Sequence, residues 1–353
     1  MMVTIKDVGA HAGVSFTTVS HVINNTRVVS PETRARVEQA IRELGYSPNM
    51  VARGLRSGES KTVGIITIAN SDPYFTEVLH GIQEYGWETG YGAFVSYTEL
   101  VDTCAADTVV PDCDDLANRE AARLASLSRR NVQGIILNSL QTDARLMKTL
   151  DSLNLPCVLF QRLIPGPQWD NFVCDDFQGT EEAMVHLLSL GHRRIALVEG
   201  FGYESHSVKY RKAAWKASLE AAGFEAEKQL VRDGRYDSAE AYRVTVELLS
   251  AEKDKRPTAI IYYSDTMAVA GIRAAFDLGL EVPKDVSIIG YDNLTCDSFT
   301  VPRLTSVSQQ SVRLGRDMMA RLAERILNPA IPSIVRTYPQ ELIVRESTGP
   351  VPD

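Results

Sequence analysis

Between residues 4 and 45 the apolar positions recur with the spacing of helices. Ile5, Val8 and Ala12 follow Thr4, whose hydroxyl suits a helix N-cap, and Gly13 marks the stop. Ser15 opens a second helix, with Val19, Val22 and Ile23 on one buried stripe and Phe16, Thr17, Ser20 and His21 facing outward. Ser30-Pro31-Glu32-Thr33 places a Ser cap ahead of Pro at the first helical position. A third helix then runs through Val37, Ala40, Ile41 and Leu44 to Gly45. The outward face of the second helix is short, polar and aromatic, the surface a helix-turn-helix presents to base edges in the major groove.

From Val63 the pattern changes to short apolar runs, VGIITIA, GIILN, PCVLF, RIALVEG, TAIIYY and VSIIG, which read as buried parallel strands. Between them lie amphipathic stretches at 77–87, 178–190, 212–222, 238–249, 267–278 and 312–326. This alternation predicts α/β structure with doubly wound parallel sheets, and its length predicts two lobes side by side. Ligands in such folds bind outside the carboxyl ends of the strands, here the cleft between lobes.

Composition is that of an ordinary globular chain, with 44% hydrophobic and 23% charged residues over 353 positions. No apolar run is long enough to span a bilayer, and no segment resembles a signal peptide, so the expected location is the cytoplasm. Five cysteines at irregular spacing are expected to be reduced thiols. The net charge of −8 alone argues against a nucleic-acid binder, but it is unevenly placed. Residues 1–61 carry eight Lys and Arg against five Asp and Glu, a net +3, and the remainder carries −11. A basic head on an acidic body docks on phosphates while the body avoids them.

The run TIKDVGAHAGVSFTTVSHVINNTRVVSPETRARVEQAIRELGYSPNMVARGLRSGES resembles the headpiece of the lactose-repressor (LacI/GalR) family almost end to end. The resemblance implies that Phe16, Thr17 and His21 face bases, while Thr4, Ser15, Thr18, Asn24, Ser30 and Thr33 hold phosphates. His21 stands where the family commonly has Arg, which forks onto guanine, so operator preference is expected to deviate at that base pair. Residues 48–58, PNMVARGLRSG, resemble the family's hinge helix, with Asn49 and Ala52 at the DNA and Leu55 as a minor-groove wedge. Gly54 disfavours helix by about 1 kcal/mol relative to Ala, which suits a hinge ordered only on DNA; composition alone also permits a plain linker.

The body is similar to the family's periplasmic-binding-protein-like effector domain through SDPYFTEVLHGI, LGHRRIALVEG, SDTMAVAGIRAAFDLGLEVPKDVSIIGYDN and QELIVREST. By that match Asp72, Tyr74, Phe75, Arg162, Asp175, Ser207, Arg211, Tyr236, Ser264, Asp292 and Gln309 line the cleft, carboxylates and an Arg fork pairing with hydroxyls or ring nitrogens while aromatic faces stack on a ring. Read singly, Asp175 and Asp292 serve equally as loop caps, and Tyr74 and Phe75 as core. Gln161 replaces a frequent Asp, Ser264 a frequent Asn, and Ala213-Ala214 a frequent Glu-Gly, which weakens inference about the ligand. The implied organisation is a headpiece at 1–47, a hinge at 48–61, a two-lobed effector and dimerisation domain at 62–345, and a tail at 346–353.

No G-x-S-x-G, G-x-G-x-x-G, Walker-type or H-E-x-x-H run occurs, so catalysis is not expected. His80, His186, His192 and His206 are scattered and read as surface or packing residues, and no metal or cofactor is expected. The acidic stretch 98–117, with Cys104 and Cys113, fits no zinc spacing and reads as a solvated loop. A secreted sugar receptor would share the body but not the basic head, and a sensor enzyme would need a catalytic cluster. The reading is therefore a homodimeric regulator, more a repressor than an activator, on a pseudo-palindromic double-stranded operator, without a membrane partner. The resemblance favours a sugar or sugar derivative as effector, with a nucleobase or nucleoside next. The C-terminus carries no heptad repeat, so a coiled-coil tetramer is not expected.

Overall fold

The computed structural model describes residues 3–46, 60–69, 73–99, 113–138, 144–164, 169–200, 206–226 and 230–352. The chain divides into two compact units, Met1–Ser60 and Lys61–Asp353.

The first unit holds α1 (Ile5–Ala12), α2 (Phe16–Asn24) and α3 (Pro31–Leu44), each begun by the hydroxyl residue the sequence offers. Thr4 and Asp7 form a reciprocal capping box, the Thr4 amide donating to Asp7 Oδ2 at 2.8 Å. Ser15 and Ser30 accept from the amides of Thr18 and Thr33. Gly13 and Gly45 close α1 and α3 in the left-handed region. Val8, Ala12, Val19, Val22, Val37 and Ala40 make the core, the stripes read from the sequence.

The second unit is built on two six-stranded sheets. The first carries β1 (Thr62–Ala69), β2 (Gly92–Glu99), β3 (Ile135–Leu137), β4 (Cys157–Phe160), β5 (Asp170–Cys174) and β11 (Val335–Tyr338) in the order β11-β5-β4-β3-β1-β2, all parallel. The second carries β6 (Ile195–Glu199), β7 (Val231–Asp233), β8 (Ala259–Tyr262), β9 (Ser287–Asp292), β10 (Thr305–Ser308) and β12 (Glu341–Ile343) in the order β12-β10-β9-β8-β6-β7. Its strands are parallel except β12, antiparallel to β10. Both lobes thus share one winding, with the order reversing beside β1 and beside β6.

Strand parity assigns the two faces of the first sheet. Ile65, Ile136 and Val158 pack with α4 (Pro73–Thr89) and α11 (Ser311–Leu327), through Val78, Ile82, Leu314 and Met318. Their neighbours Ile66, Ile135, Leu137 and Leu159 pack on the other face with α5 (Cys113–Ser128) and α6 (Ala144–Leu153), through Leu124, Leu127, Leu146 and Leu150. The second sheet is flanked by α7 (Asp176–Ser189), α8 (His206–Ala221), α9 (Ser238–Leu249) and α10 (Asp265–Asp277) around one continuous core.

Three crossovers join the lobes, from β5 to α7, from β10 to α11, and from β11 to β12. The second sends α11 back to the first lobe, where it crosses α4 with backbones almost touching. A Cβ on Gly81 would lie 1.9 Å from the Val312 carbonyl oxygen, and one on Gly315 would lie 2.0 Å from that of Val78. Only glycine permits this approach.

The expected fold class holds, with one correction of detail. Stretch 98–117 is not one loop, because β2 runs to Glu99 and α5 starts at Cys113. The terminal residues pack on the second lobe: Ser347 is fully buried, the Gly349 carbonyl lies 3.0 Å from His192 Nε2, and the Val351 amide donates to the Leu190 carbonyl. His192 is itself buried, its Nδ1 and Nε2 each 3.0 Å from the hydroxyls of Thr258 and Ser287, a packing role as the sequence suggested.

Candidate functional site

Two groups of residues are candidates, one in each unit. In the first, hydroxyls stand at all three helix N-termini, where free backbone amides make ready anion sites. Ser15 Oγ lies 3.0 Å from Thr18 Oγ1, and Ser30 Oγ donates to Thr33 Oγ1 at 2.9 Å. On α2, Phe16 is half exposed, Thr17 is exposed, and His21 sits partly buried in the last turn, its Nδ1 2.8 Å from Thr26 Oγ1. Asn25 ends α2 in the left-handed region (φ 51°), and its carbonyl Oδ1 accepts from Arg34 Nη2 of α3 at 2.8 Å. His11 Nε2 lies 2.7 Å from Glu43 Oε2, tying α1 to α3. The Asn24 side chain and the hinge residues Asn49, Ala52 and Leu55 lie outside the described residues.

In the second unit the candidate residues gather at the carboxyl ends of the strands. Tyr74, in the first turn of α4, is buried and its ring meets Phe75 edge-on at 5.4 Å and Phe160 at 6.3 Å. Gln161 follows β4 with φ 54°. Its Nε2 donates to Tyr74 Oη and to Gln309 Oε1, both at 3.2 Å. Gln309, on the crossover after β10, donates in turn to Asp292 Oδ1 at the end of β9. A hydrogen-bonded chain therefore runs from the first lobe through a crossover to the second. Gln161 Oε1 is buried and has no hydrogen-bond partner among the described residues.

A second network surrounds Asp176, the first residue of α7. Asp176 Oδ1 accepts from Arg211 Nε at 2.8 Å and from Gln340 Nε2 at 3.3 Å, while Asp176 Oδ2 is buried without a hydrogen-bond partner among the described residues. Arg211 also donates from Nη1 to the Tyr263 carbonyl at 2.9 Å and lies 3.4 Å from the Tyr291 ring centre. Its charge is thus held from three sides. Ser207, one helical turn earlier, is buried, and Tyr236 (φ 50°) packs over Gly200, where any Cβ would clash with its ring.

Arg162 is buried beside Gln161. Burial pulls its pKa down to about 10 against the opposing pull of Glu120, so it stays charged near neutrality. Behind Asp292, Asp265 accepts from Ser306 Oγ at 2.6 Å and the Leu294 amide at 2.9 Å. Burial, with Asp292 and Asp297 as like charges nearby, pushes the Asp265 carboxyl well up, and burial pushes Asp297 up to about 6.

Two expected cleft residues are occupied as helix caps. Asp175 accepts from the Gln178 amide at 3.1 Å, and Ser264 accepts from the Met267 amide at 3.3 Å. Tyr74, also expected in the cleft, belongs to the first-lobe core. Asp72 lies outside the described residues. Sequence reasoning missed Asp176, Tyr291 and Gln340, and noted Gln161 only as a departure. The paired carboxylates at 175–176, just after a buried strand, were the one local signal for Asp176. Among the described residues no helix is long and apolar enough to cross a membrane, and Cys157, Cys174 and Cys296 are free thiols.

The family model for bacterial regulatory proteins, lacI family, matches residues 4–49, and that for a periplasmic binding protein-like domain matches residues 184–348. The chain is 32% identical to the HTH-type transcriptional repressor PurR of Aliivibrio fischeri (strain MJ11), over 98% of each sequence. Among solved structures it is similar to a Lac repressor dimer bound to operator and the anti-inducer ONPF, with a TM-score of 0.82, 27% identity, and coverage of 99% of this chain and 100% of that one. It is also similar to the transcriptional regulator CelR in complex with cellobiose, with a TM-score of 0.70, 30% identity, and coverage of 98% and 99%.

Proposed function

The chain belongs to the lacI family of bacterial regulatory proteins and is a DNA-binding transcriptional repressor, and from that premise we propose that it is a cytoplasmic homodimer gated by a hydroxyl-rich effector, a sugar or sugar derivative, in the interlobe cleft. Residues 1–47 read the operator, 48–61 form the hinge, and 62–345 sense the ligand. Phe16, Thr17 and His21 read bases, the hydroxyls of Thr4, Ser15, Thr18, Ser30 and Thr33 hold phosphates, and Leu55 wedges the minor groove.

The observation that carries the effector reading is a pair of buried acceptors among the candidate cleft residues. Among the described residues Gln161 Oε1 and Asp176 Oδ2 are both shielded from solvent without a hydrogen-bond partner, a costly state that a ligand rich in donors relieves. A sugar offers several hydroxyl donors beside the ring faces of Tyr74 and Phe75, and the similar CelR structure holds cellobiose. A nucleobase or nucleoside, purines first, is the second reading, favoured by full-length likeness to repressors named PurR.

Homodimerisation is supported by exposed apolar side chains in both lobes. Trp87 of α4 is 89% exposed beside a groove of about 540 Å³ that reaches Tyr91 and Ala93. β2 is an outer strand carrying exposed Phe94 and Tyr97, and the second lobe exposes Phe276, Phe299 and Val301. Two subunits related by a twofold match two half-sites.

The test is selection of genomic DNA fragments by the purified protein, repeated with pools of sugars and of nucleosides. The expected result is an enriched palindrome that is lost or gained with the sugar pool. A response to nucleosides alone would replace the sugar reading with the second one, and no response to either pool would remove both.

A further inference from the structure

His21 offers a base one ring nitrogen, not the two-pronged fork of an arginine, so its readout depends on where that nitrogen points and whether it carries the proton. An imidazole turning about its last side-chain bond presents Nδ1, Nε2 or a C–H edge in turn, and discriminates poorly. In this chain the ring is held. Thr26 Oγ1 lies 2.8 Å from Nδ1, and the turn bearing Thr26 is itself fixed by the left-handed Asn25 and its bond from Arg34. Thr26 and Asn25 are exposed and belong to no core, so this arrangement does not serve packing.

We propose that Thr26 is a positioning residue for operator specificity, its hydroxyl donating to His21 Nδ1 so that Nε2–H is the one donor presented to the groove, selecting guanine at that position. With Nδ1 as acceptor the ring proton sits on Nε2, and guanine answers it with N7 and O6. Fixing the ring before binding also removes an ordering cost from a contact of only one hydrogen bond. The proposal rests on His21 reading a base, as set out above.

The experiment selects operators from a randomised DNA library with the full-length wild type and the variants Thr26→Val, Thr26→Ser and His21→Ala. Thr26→Val keeps the shape and removes the hydroxyl; Thr26→Ser restores it. Thr26→Val is expected to lose the guanine preference at one base pair per half-site, with about a tenfold drop on the wild-type site, and to leave the other positions and the melting temperature unchanged. Thr26→Ser is expected to recover the preference. Imidazole 15N shifts of His21 in the free protein are expected to show the Nε2–H form in wild type and a mixture in Thr26→Val. An unchanged motif in Thr26→Val while His21→Ala alters it, or a uniform loss across all positions, would overturn the role of Thr26. An unchanged motif in His21→Ala would overturn it by removing His21 as a reader. No enriched motif with wild type would instead mark failure of the parent reading.

Discussion

Gln161 adopts a left-handed backbone conformation, which costs an ordinary residue about 1–2 kcal/mol relative to glycine. What holds it there is its amide, donating at once to Tyr74 and Gln309. In Gln161→Gly the relief of strain and the loss of two hydrogen bonds worth about 0.5–1.5 kcal/mol each nearly cancel. The melting temperature is therefore expected to shift little, while affinity for the cleft ligand falls tenfold or more in calorimetry, because the open acceptor Oε1 is gone. A retained affinity would place the ligand away from Gln161. At this scale the sequence revealed caps, because a capping hydroxyl or carboxylate acts within three residues, as at Thr4, Ser15 and Ser30. It did not reveal that Gln161 meets Gln309 or that Asp176 meets Arg211, contacts between distant segments that leave no local trace.

Among the elements, strands made of aliphatic runs were legible and those with polar residues inside were not. β5 buries Asp170, which binds Arg325 of α11 at 2.6 Å, and Asn171, which bonds the backbone around Ile164. β10 buries Thr305 and Ser306, and β2 is an outer strand with an exposed face, so none of the three shows a continuous apolar run. The terminal segment is hidden in the same way, since what pins it is a histidine far upstream. Burial lowers the pKa of His192 below its ordinary 6.5, as it does for His186 and His206. A depressed histidine contributes stability that is present above the unfolded pKa and is lost as pH falls through the folded one. Thermal stability is therefore expected to drop from pH 6.5 downward, with early hydrogen exchange at 347–351. His192→Gln is expected to be less stable at pH 7.5 and to show a shallower slope below 6.5. An unchanged slope would assign the acid sensitivity to the other histidines or to carboxylates.

The molecule as a whole was readable as a basic head on two wound lobes because period, charge and length all act over long stretches of chain. How two copies meet was not, since Trp87 sits within an amphipathic helical stretch that gives no hint its ring would face solvent. Its 89% exposure beside the groove, at the end of the helix that precedes the open edge strand β2, is unfavourable in a lone subunit and would be relieved by burial against a partner. Aromatic anchors of this kind commonly carry 2 kcal/mol or more of an interface. Trp87→Ala is accordingly expected to raise the dimer dissociation constant about thirtyfold, measured by sedimentation over a protein dilution series. Operator occupancy is expected to fall only near and below that new constant and to depend there on the square of protein concentration, because two half-sites need two heads. Binding to a single half-site should not change, since the head is untouched. If sedimentation is unaltered while the palindrome is still bound, the subunits meet elsewhere, and Phe276, Phe299 and Val301 of the second lobe become the residues to substitute.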